Sequence, residues 1–274
     1  MKNIIEILKG FFKVMKGKLR NIRDHKYTRF YPTNPRHDDV YIVEFPKSGI
    51  TWLSTMIANL NLLESNQKSN VTFFNVHQYV ADIHTSKDLH SEPLWSFPRF
   101  RFIKSHDVYN KNYNFVIYLI RDPYKVMNSY FIFSKQLGSF DGTFEEFVKH
   151  PRYGIKPWVK HVSSWLEKGV TLQRIHLIKY EDLIEQPSQE MNKIYQNLGL
   201  SIDENLLKKA IERSNIVNMK NSEEMNNYNN PNNDEFQFVG KGQKSFDSVM
   251  SDEVKNYIKK NIESNKIYKS LYLD

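Results

Sequence analysis

Residues 40–52 read VYIVEFPKSGITW. The apolar run stops at Pro46, and Lys47, Ser48, Gly49, Ile50 and Thr51 follow before Trp52. A buried strand that turns through a glycine into a helix is the start of an α/β unit, and the N–H groups at such a helix start attract anions. Gly49 allows backbone to approach an oxyanion closely, Lys47 adds a mobile positive charge, and Ser48 and Thr51 add hydroxyls. The spacing is not GxxxxGK[ST], which disfavours a Walker-type nucleoside triphosphate site.

Outward from this stretch, strands and helices alternate. A strand over Val40–Glu44 and a helix over Thr51–Leu63 are followed by a short strand, Arg101–Lys104. FVIYLI, residues 115–120, is apolar on both faces, as the middle of a parallel sheet requires. Asp122-Pro123 then starts a helix running to about Lys135, because a capping aspartate before proline is a helix entry. Residues 175–179, IHLIK, form a last strand, and Pro187 starts the helix after it. The rhythm predicts a single α/β domain with a central, mostly parallel sheet flanked by helices. Ligands of such sheets sit at the carboxyl ends of the strands.

Each of these strand ends carries chemistry. Lys104 and His106 lie two apart in FIKSHD, so an extended strand end projects both to one side. A neutral imidazole there can take a proton from a hydroxyl or amine, and a lysine beside it can stabilise developing charge. Arg121 ends the FVIYLI strand, where a guanidinium can grip a phosphate with two hydrogen bonds. Ser129 lies eight residues further on, two turns into the following helix.

The bulk properties narrow the partners. The chain has 274 residues, 40% of them hydrophobic and 14% aromatic, enough for one sizeable core. A formal charge of +8 favours anionic ligands, yet no zinc spacing, helix-turn-helix signature or RNA-recognition motif accompanies it. Nucleic acid is therefore not an expected partner; an anionic small molecule is. With no cysteine, disulfides and thiolate chemistry are excluded, which fits a reducing, cytoplasmic location. No apolar run reaches the length of a membrane span, and Lys9 and Lys13 interrupt the one segment that resembles a signal sequence.

Residues 1–20 set Ile4, Leu8, Phe11, Phe12, Met15 and Leu19 at helical spacing, with Lys2, Lys9, Lys13 and Lys16 largely opposite. Such a helix packs on the domain or on a partner chain, or lies on an anionic membrane surface as a peripheral contact. Residues 1–30 are thus read as a basic amphipathic helix and linker, and residues 31–274 as the catalytic domain. The polar, proline-bearing YPTNPRHDD, residues 31–39, leads into the core. Residues 221–238 are asparagine-rich, a loop that either stays unstructured or closes over a ligand.

Together these sites resemble the cytosolic branch of the sulfotransferases that use 3′-phosphoadenosine 5′-phosphosulfate (PAPS) and release 3′-phosphoadenosine 5′-phosphate (PAP). PKSGITW resembles that family's phosphosulfate loop, FIKSHD its K-[ST]-H segment, and IRDPYKVMNSYFIF its 3′-phosphate motif. HVSSWLEKG, IHLIKYEDL and VGKGQKS resemble three further family segments, in the same order. The resemblance runs from about Val40 to Asp247.

It implies PAPS as donor, PAP as product, and transfer of a sulfuryl group to a hydroxyl or amine of a small molecule, without a metal. His106 would be the general base, with Lys47 and Lys104 as the other catalytic residues. Lys47, Ser48, Gly49, Ile50, Thr51 and Trp52 would cradle the 5′-phosphate and adenine. Arg121, Ser129, Lys241 and Gly242 would hold the 3′-phosphate, and Tyr180 and Ser214 would sit near the adenine. Two departures bear on the grip: Ile50 replaces the usual threonine, and Gly240 stands where the family has an arginine, so that Arg213 or a nearby lysine is a candidate substitute. The segment SFDSVMSDE departs from the family's dimerisation pattern, which leaves oligomeric state open.

The acceptor is less defined. Phe73, His77, Tyr130 and Phe133 are the expected lining of its pocket, in an aromatic region between Val71 and Phe100 and on the helix after Arg121. His77, His84 and His90 have no metal-ligand spacing. Other readings are a magnesium-dependent phosphoryl transferase and a catalytically idle nucleotide-binding or membrane-surface protein on the same fold.

Overall fold

The computed structural model describes residue 32 and residues 35–72, 75–84, 100–169, 175–215, 217–218, 250–263 and 266–272. The expected N-terminal helix, Phe73, the asparagine-rich segment, Lys241 and Gly242 lie outside them. Among the described residues, five parallel strands pair in the order β2-β3-β1-β4-β5. These are β1 (Asp39–Glu44), β2 (Ala81–Asp82), β3 (Arg101–Ser105), β4 (Phe115–Ile120) and β5 (Ile175–Lys179). The strand that leads into PKSGITW is therefore central, between β3 and β4.

The alternation of side chains along each strand supplies two separate cores. Tyr41 and Val43 of β1 join Ile103 of β3 and Val116, Tyr118 and Ile120 of β4 on one face. Val40 and Ile42 join Phe102, Ile117 and Leu119 on the other. Helix α1 (Ile50–Glu64), α6 (Pro187–Asn197) and α7 (Glu204–Arg213) cover the second face through Leu53, Met56, Ile57, Met191, Ile194 and Leu207. The first face is covered by α2 (Pro123–Gln136), α3 (Phe144–Lys149), α4 (Ile155–Gly169), α8 (Asp252–Ile262) and α9 (Lys266–Tyr272). A sheet buried on both sides explains why its strands read as continuous apolar runs.

The expected elements are present with small shifts. Helix α1 begins at Ile50 rather than Thr51, since Gly49 at φ 113° forms the turn and its carbonyl accepts from the Trp52 and Leu53 amides. Asp122 caps α2 by accepting from the Lys125 N–H at 3.0 Å, with Pro123 behind it. The linker into the core ends earlier than Asp39. That residue opens β1, is 1% exposed, and its carboxylate takes both Nε and Nη2 of Arg101 at 2.5 and 2.7 Å. A short helix α5 (Tyr180–Glu185) also intervenes before α6. It stops at Gln186, φ −135° and ψ 57°, because Pro187 disfavours helical backbone in the residue before it.

Helix α1 is almost wholly buried and yet carries Asn59 and Asn61. The Asn59 side chain accepts from the Val71 N–H at 2.9 Å and donates to the Val71 carbonyl at 3.1 Å, while Asn61 accepts from the Tyr195 hydroxyl at 3.1 Å. Buried amides satisfied in this way fix neighbouring segments to the helix.

Candidate functional site at the strand ends

The loop between β1 and α1 is organised by Glu44, the last residue of β1. One carboxylate oxygen accepts from the Lys47 N–H at 3.2 Å and the other from the Ile50 N–H at 2.7 Å. The Ser48 hydroxyl donates to the Phe45 carbonyl at 2.9 Å, so what Ser48 offers an anion is its amide. Among the described residues, the N–H groups of Ser48, Gly49 and Thr51 have no acceptor in the protein. These donors sit at the amino end of a fifteen-residue helix, where they could receive an anion.

Two residues of the loop have positive φ. Gly49 needs it and has no room for a side chain: a Cβ there would meet the Tyr180 ring at 2.4 Å. Lys47, at φ 78°, adopts it at a cost of about 1 kcal/mol. Its backbone is held from both sides, the N–H by Glu44 and the carbonyl by an Arg121 Nη1 at 3.0 Å. The Lys47 ammonium lies 4.2 Å from the centre of the Phe133 ring.

Arg121 thus meets the loop from the end of β4. Its guanidinium stacks on Tyr180, 4.4 Å from Cζ to the ring centre, and its buried Nε has no hydrogen-bond partner. Burying a guanidinium N–H without an acceptor is costly, and a bound oxyanion would satisfy it. Tyr180 in turn meets Trp52 edge-on at 6.0 Å. The Trp52 indole donates to the Ser214 carbonyl at 2.8 Å. Ser214 reaches this region as a fixed support: it is fully buried, and its hydroxyl donates to the Ala210 carbonyl and accepts from Asn59. Arg213, the candidate substitute for the missing arginine, has an Nη1 at 3.4 Å from the Ser69 carbonyl. Ser129 is half-buried on α2.

His106 follows β3, next to β1. Its Nδ1 is 3.2 Å from the Glu44 carbonyl oxygen, which can only accept, so Nδ1 carries the proton and Nε2 the lone pair. Its backbone N–H donates to Nε2 of His84 at 3.0 Å, and the two rings stack at 5.4 Å. Lys104, 7% exposed, lies on β3 opposite Asp82 of β2. His77 belongs to a 3-10 turn, Val76–Gln78, where burial and the Lys104 charge hold its pKa below the usual value. Tyr130 packs edge-on against Phe45, Phe147 and Tyr153 at 5.9, 5.5 and 5.6 Å, within an aromatic cluster.

The segment carrying His106 is fixed from beneath. Ser105 accepts from the Asp107 N–H at 3.0 Å and pairs with the Tyr113 hydroxyl at the same distance. Trp165 donates to the Asp107 carbonyl at 2.8 Å, and His161 pairs through Nδ1 with the Tyr118 hydroxyl at 2.9 Å. Burial pushes His161 down to about 4. HVSSW therefore supports the histidine segment from α4. In YEDL, Glu181 accepts from the Asp122 N–H at 3.2 Å and from the Tyr272 hydroxyl at 3.2 Å. It joins the ends of β4 and β5. Glu44, Phe45 and His84 are the participants that sequence reasoning did not single out. The glutamate that ends the VYIV run was visible as a residue, but nothing in the sequence marked its partner.

No helix among the described residues is long and apolar enough to cross a membrane. The Sulfotransferase domain family model matches residues 37–269. Sulfotransferase 1E1 of Bos taurus is 30% identical over 207 residues, covering 70% of this chain and 69% of that one. Sulfotransferase 1 family member D1 of Mus musculus is 29% identical over 204 residues, with the same coverage of 70% and 69%. Among solved structures, mouse sulfotransferase SULT7A1 complexed with PAP superposes with a TM-score of 0.62 at 20% identity, covering 87% of this chain and 88% of that one. Retinol dehydratase in complex with androsterone and inactive cofactor PAP gives 0.66 at 19% identity, covering 86% and 82%.

Proposed function

The chain belongs to the sulfotransferase family, and from that premise we propose that it moves a sulfuryl group from PAPS to a hydroxyl or amine of a small molecule, with His106 as general base. The donor is the family's, and both solved relatives described above hold PAP. PAPS supplies a sulfuryl group on a mixed anhydride whose leaving group is a phosphate.

The residues present suit that donor. The amides of Ser48, Gly49 and Thr51 would receive the 5′-phosphate at the start of α1. Arg121 would receive the 3′-phosphate, with Ser129 as the expected second contact on α2. Its buried, unsatisfied Nε is the observation that carries the reading, because an anion supplies what the protein withholds. Tyr180 and Trp52 offer aromatic surface for the adenine, with Ser214 holding the indole. Lys241 and Gly242 remain proposed contacts to the 3′-phosphate.

Chemically, the acceptor's proton goes to Nε2 of His106 as its oxygen or nitrogen attacks sulfur in line. With PAPS bound, the bond from sulfur to the bridging oxygen would break and its electron pair would leave with the phosphate. Lys47 would stabilise the charge on that oxygen, and Lys104 the sulfuryl oxygens. For Lys47 this requires moving its ammonium off Phe133, where it rests at 4.2 Å. Phe73, His77, Tyr130 and Phe133 are the proposed acceptor surroundings, His77 beside Lys104 and Phe133 beside Lys47.

The test is isothermal titration of PAP, AMP and ATP into the wild type and Arg121→Ala, with and without EDTA. PAP bound well above AMP, with the preference lost in the variant and no effect of EDTA, supports the reading. PAP bound no better than AMP by the wild type overturns it. Acceptor screening follows, with His106→Ala expected to bind PAP normally and transfer nothing.

A further inference from the structure

We propose that Glu44 is a positioning residue for His106: its buried carboxylate pairs with the Nδ1 side of the imidazole and stabilises the charge that the ring gains when it takes the acceptor's proton. The inference rests on the reading of His106 as the base and adds a second group to it.

The geometry begins at the end of β1. Glu44 turns its backbone carbonyl to His106 Nδ1 at 3.2 Å, and its carboxylate oxygen Oε1 lies 4.0 Å from the same nitrogen. The Glu44 side chain is 3% exposed, whereas the His106 side chain keeps 27% of its surface open. One edge of the imidazole therefore faces a buried carboxyl group, ionised only above about 7 in the fold unless a charged partner holds it ionised, and Nε2 lies away from it. A proton arriving at Nε2 makes the ring cationic while the Nδ1 proton stays where it is, between ring and carbonyl. The positive charge then faces a carboxylate at 4.0 Å in surroundings where water screens it little. The proton later leaves Nε2 to solvent, so no atom is consumed.

The same carboxylate anchors the anion loop through the Lys47 and Ile50 amides. The base and the donor cradle thus meet at one residue, the base through its carbonyl and the cradle through its carboxylate. Burial raises Glu44 to about 7, opposed by those two amides and by the charges of Lys47 and Arg121. Tyr118 and Tyr180 also feel its charge, and both are held above their ordinary values chiefly by burial. On its other sides His106 meets His84, and Lys104 precedes it on β3. Paired in this way, the two groups would titrate as a coupled system, which is what the experiment reads.

The experiment is an NMR titration of the histidine ring Cε1–H signals in the chain without ligand, His106 being assigned by its loss in His106→Ala. In Glu44→Gln the His106 midpoint is expected about one pH unit below wild type, as removal of a carboxylate at this range implies. The acid limb of kcat at saturating donor should move the same way. An unchanged midpoint overturns the proposal, even if PAP binding weakens, since a weaker cradle alone is the outcome of a purely structural role. Should Glu44→Gln not fold, the wild type decides. There the Glu44 Cδ signal and the His106 signal must each show an inflection at the other's midpoint, and two independent single-step curves would refute the pairing. Failure of PAP to bind would count against the donor reading and leave this titration interpretable.

Discussion

Arg121 donates from Nη1 to the carbonyl of Lys47 at 3.0 Å, a contact between residues 74 apart in the chain. It joins two cations of the site through backbone, so the position of the guanidinium and the strained φ of Lys47 depend on each other. Arg121→Lys keeps the charge but cannot bond Lys47 and a phosphate together in one plane. PAP affinity should fall at least about 100-fold, the scale of two charge-assisted hydrogen bonds, while AMP affinity changes little. Calorimetric titration of both nucleotides measures the difference.

Gly49→Ala should be worse than a missing contact. The added methyl would lie 2.4 Å from the Tyr180 ring, on backbone at φ 113° that an alanine rarely adopts. We expect a stability loss of at least about 2 kcal/mol and no measurable PAP binding. Gly49→Ala combined with Tyr180→Ala separates the two causes. If space alone matters, the double variant regains binding; if φ matters, as expected, it does not. Denaturant unfolding and titration read both effects.

Trp52→Phe keeps an aromatic surface and removes the donor to the Ser214 carbonyl at 2.8 Å. That carbonyl closes α7, whose following residues would lose their attachment to the loop. A stability loss of about 1–2 kcal/mol is expected, with weaker PAP binding and unchanged preference for PAP over AMP. A changed preference would mean that the indole touches the 3′-phosphate side.

The pH dependence of stability should carry a signature of His161. Burial lowers it from 6.5 to about 4, so between those values the unfolded chain binds a proton that the folded chain refuses. Stability is therefore lost as pH falls from about 6.5 toward 4, by roughly 3 kcal/mol in all. Glu44 acts the other way, because its carboxyl stays protonated in the fold between 4.5 and about 7, so stability falls as pH rises through that range. His161→Gln should remove only the first slope. Urea midpoints of wild type and variant at matched pH values test this, and parallel curves would refute it.

Much of the scaffold was legible because its physical causes are local. The apolar run of β4, the Asp122-Pro123 cap and the glycine before α1 each produced the element expected of them. Asp39 was misread as linker because its partner, Arg101, is 62 residues away, and a buried ion pair leaves no periodic trace. Lys47, Arg121 and His106 were legible from their positions at strand ends, which the central placement of β1 brings together. Ser48 was read as a hydroxyl donor by residue type. Its hydroxyl is instead bonded to the Phe45 carbonyl, a choice set by local geometry that composition does not reveal. The support of His106 by His84 and Glu44 needed three-dimensional proximity and was invisible in sequence.

Glu181 ties the amide of Asp122, the residue after Arg121, to the hydroxyl of Tyr272 in α9. Lys179, at the end of β5, also donates to the Leu271 carbonyl and faces the Tyr272 ring. The helix most distant in sequence from the anion loop is therefore a brace on the strand end that carries Arg121. For anyone tethering this protein to a surface or a reporter, an attachment that pulls on residues 266–272 would act as a lever on donor affinity.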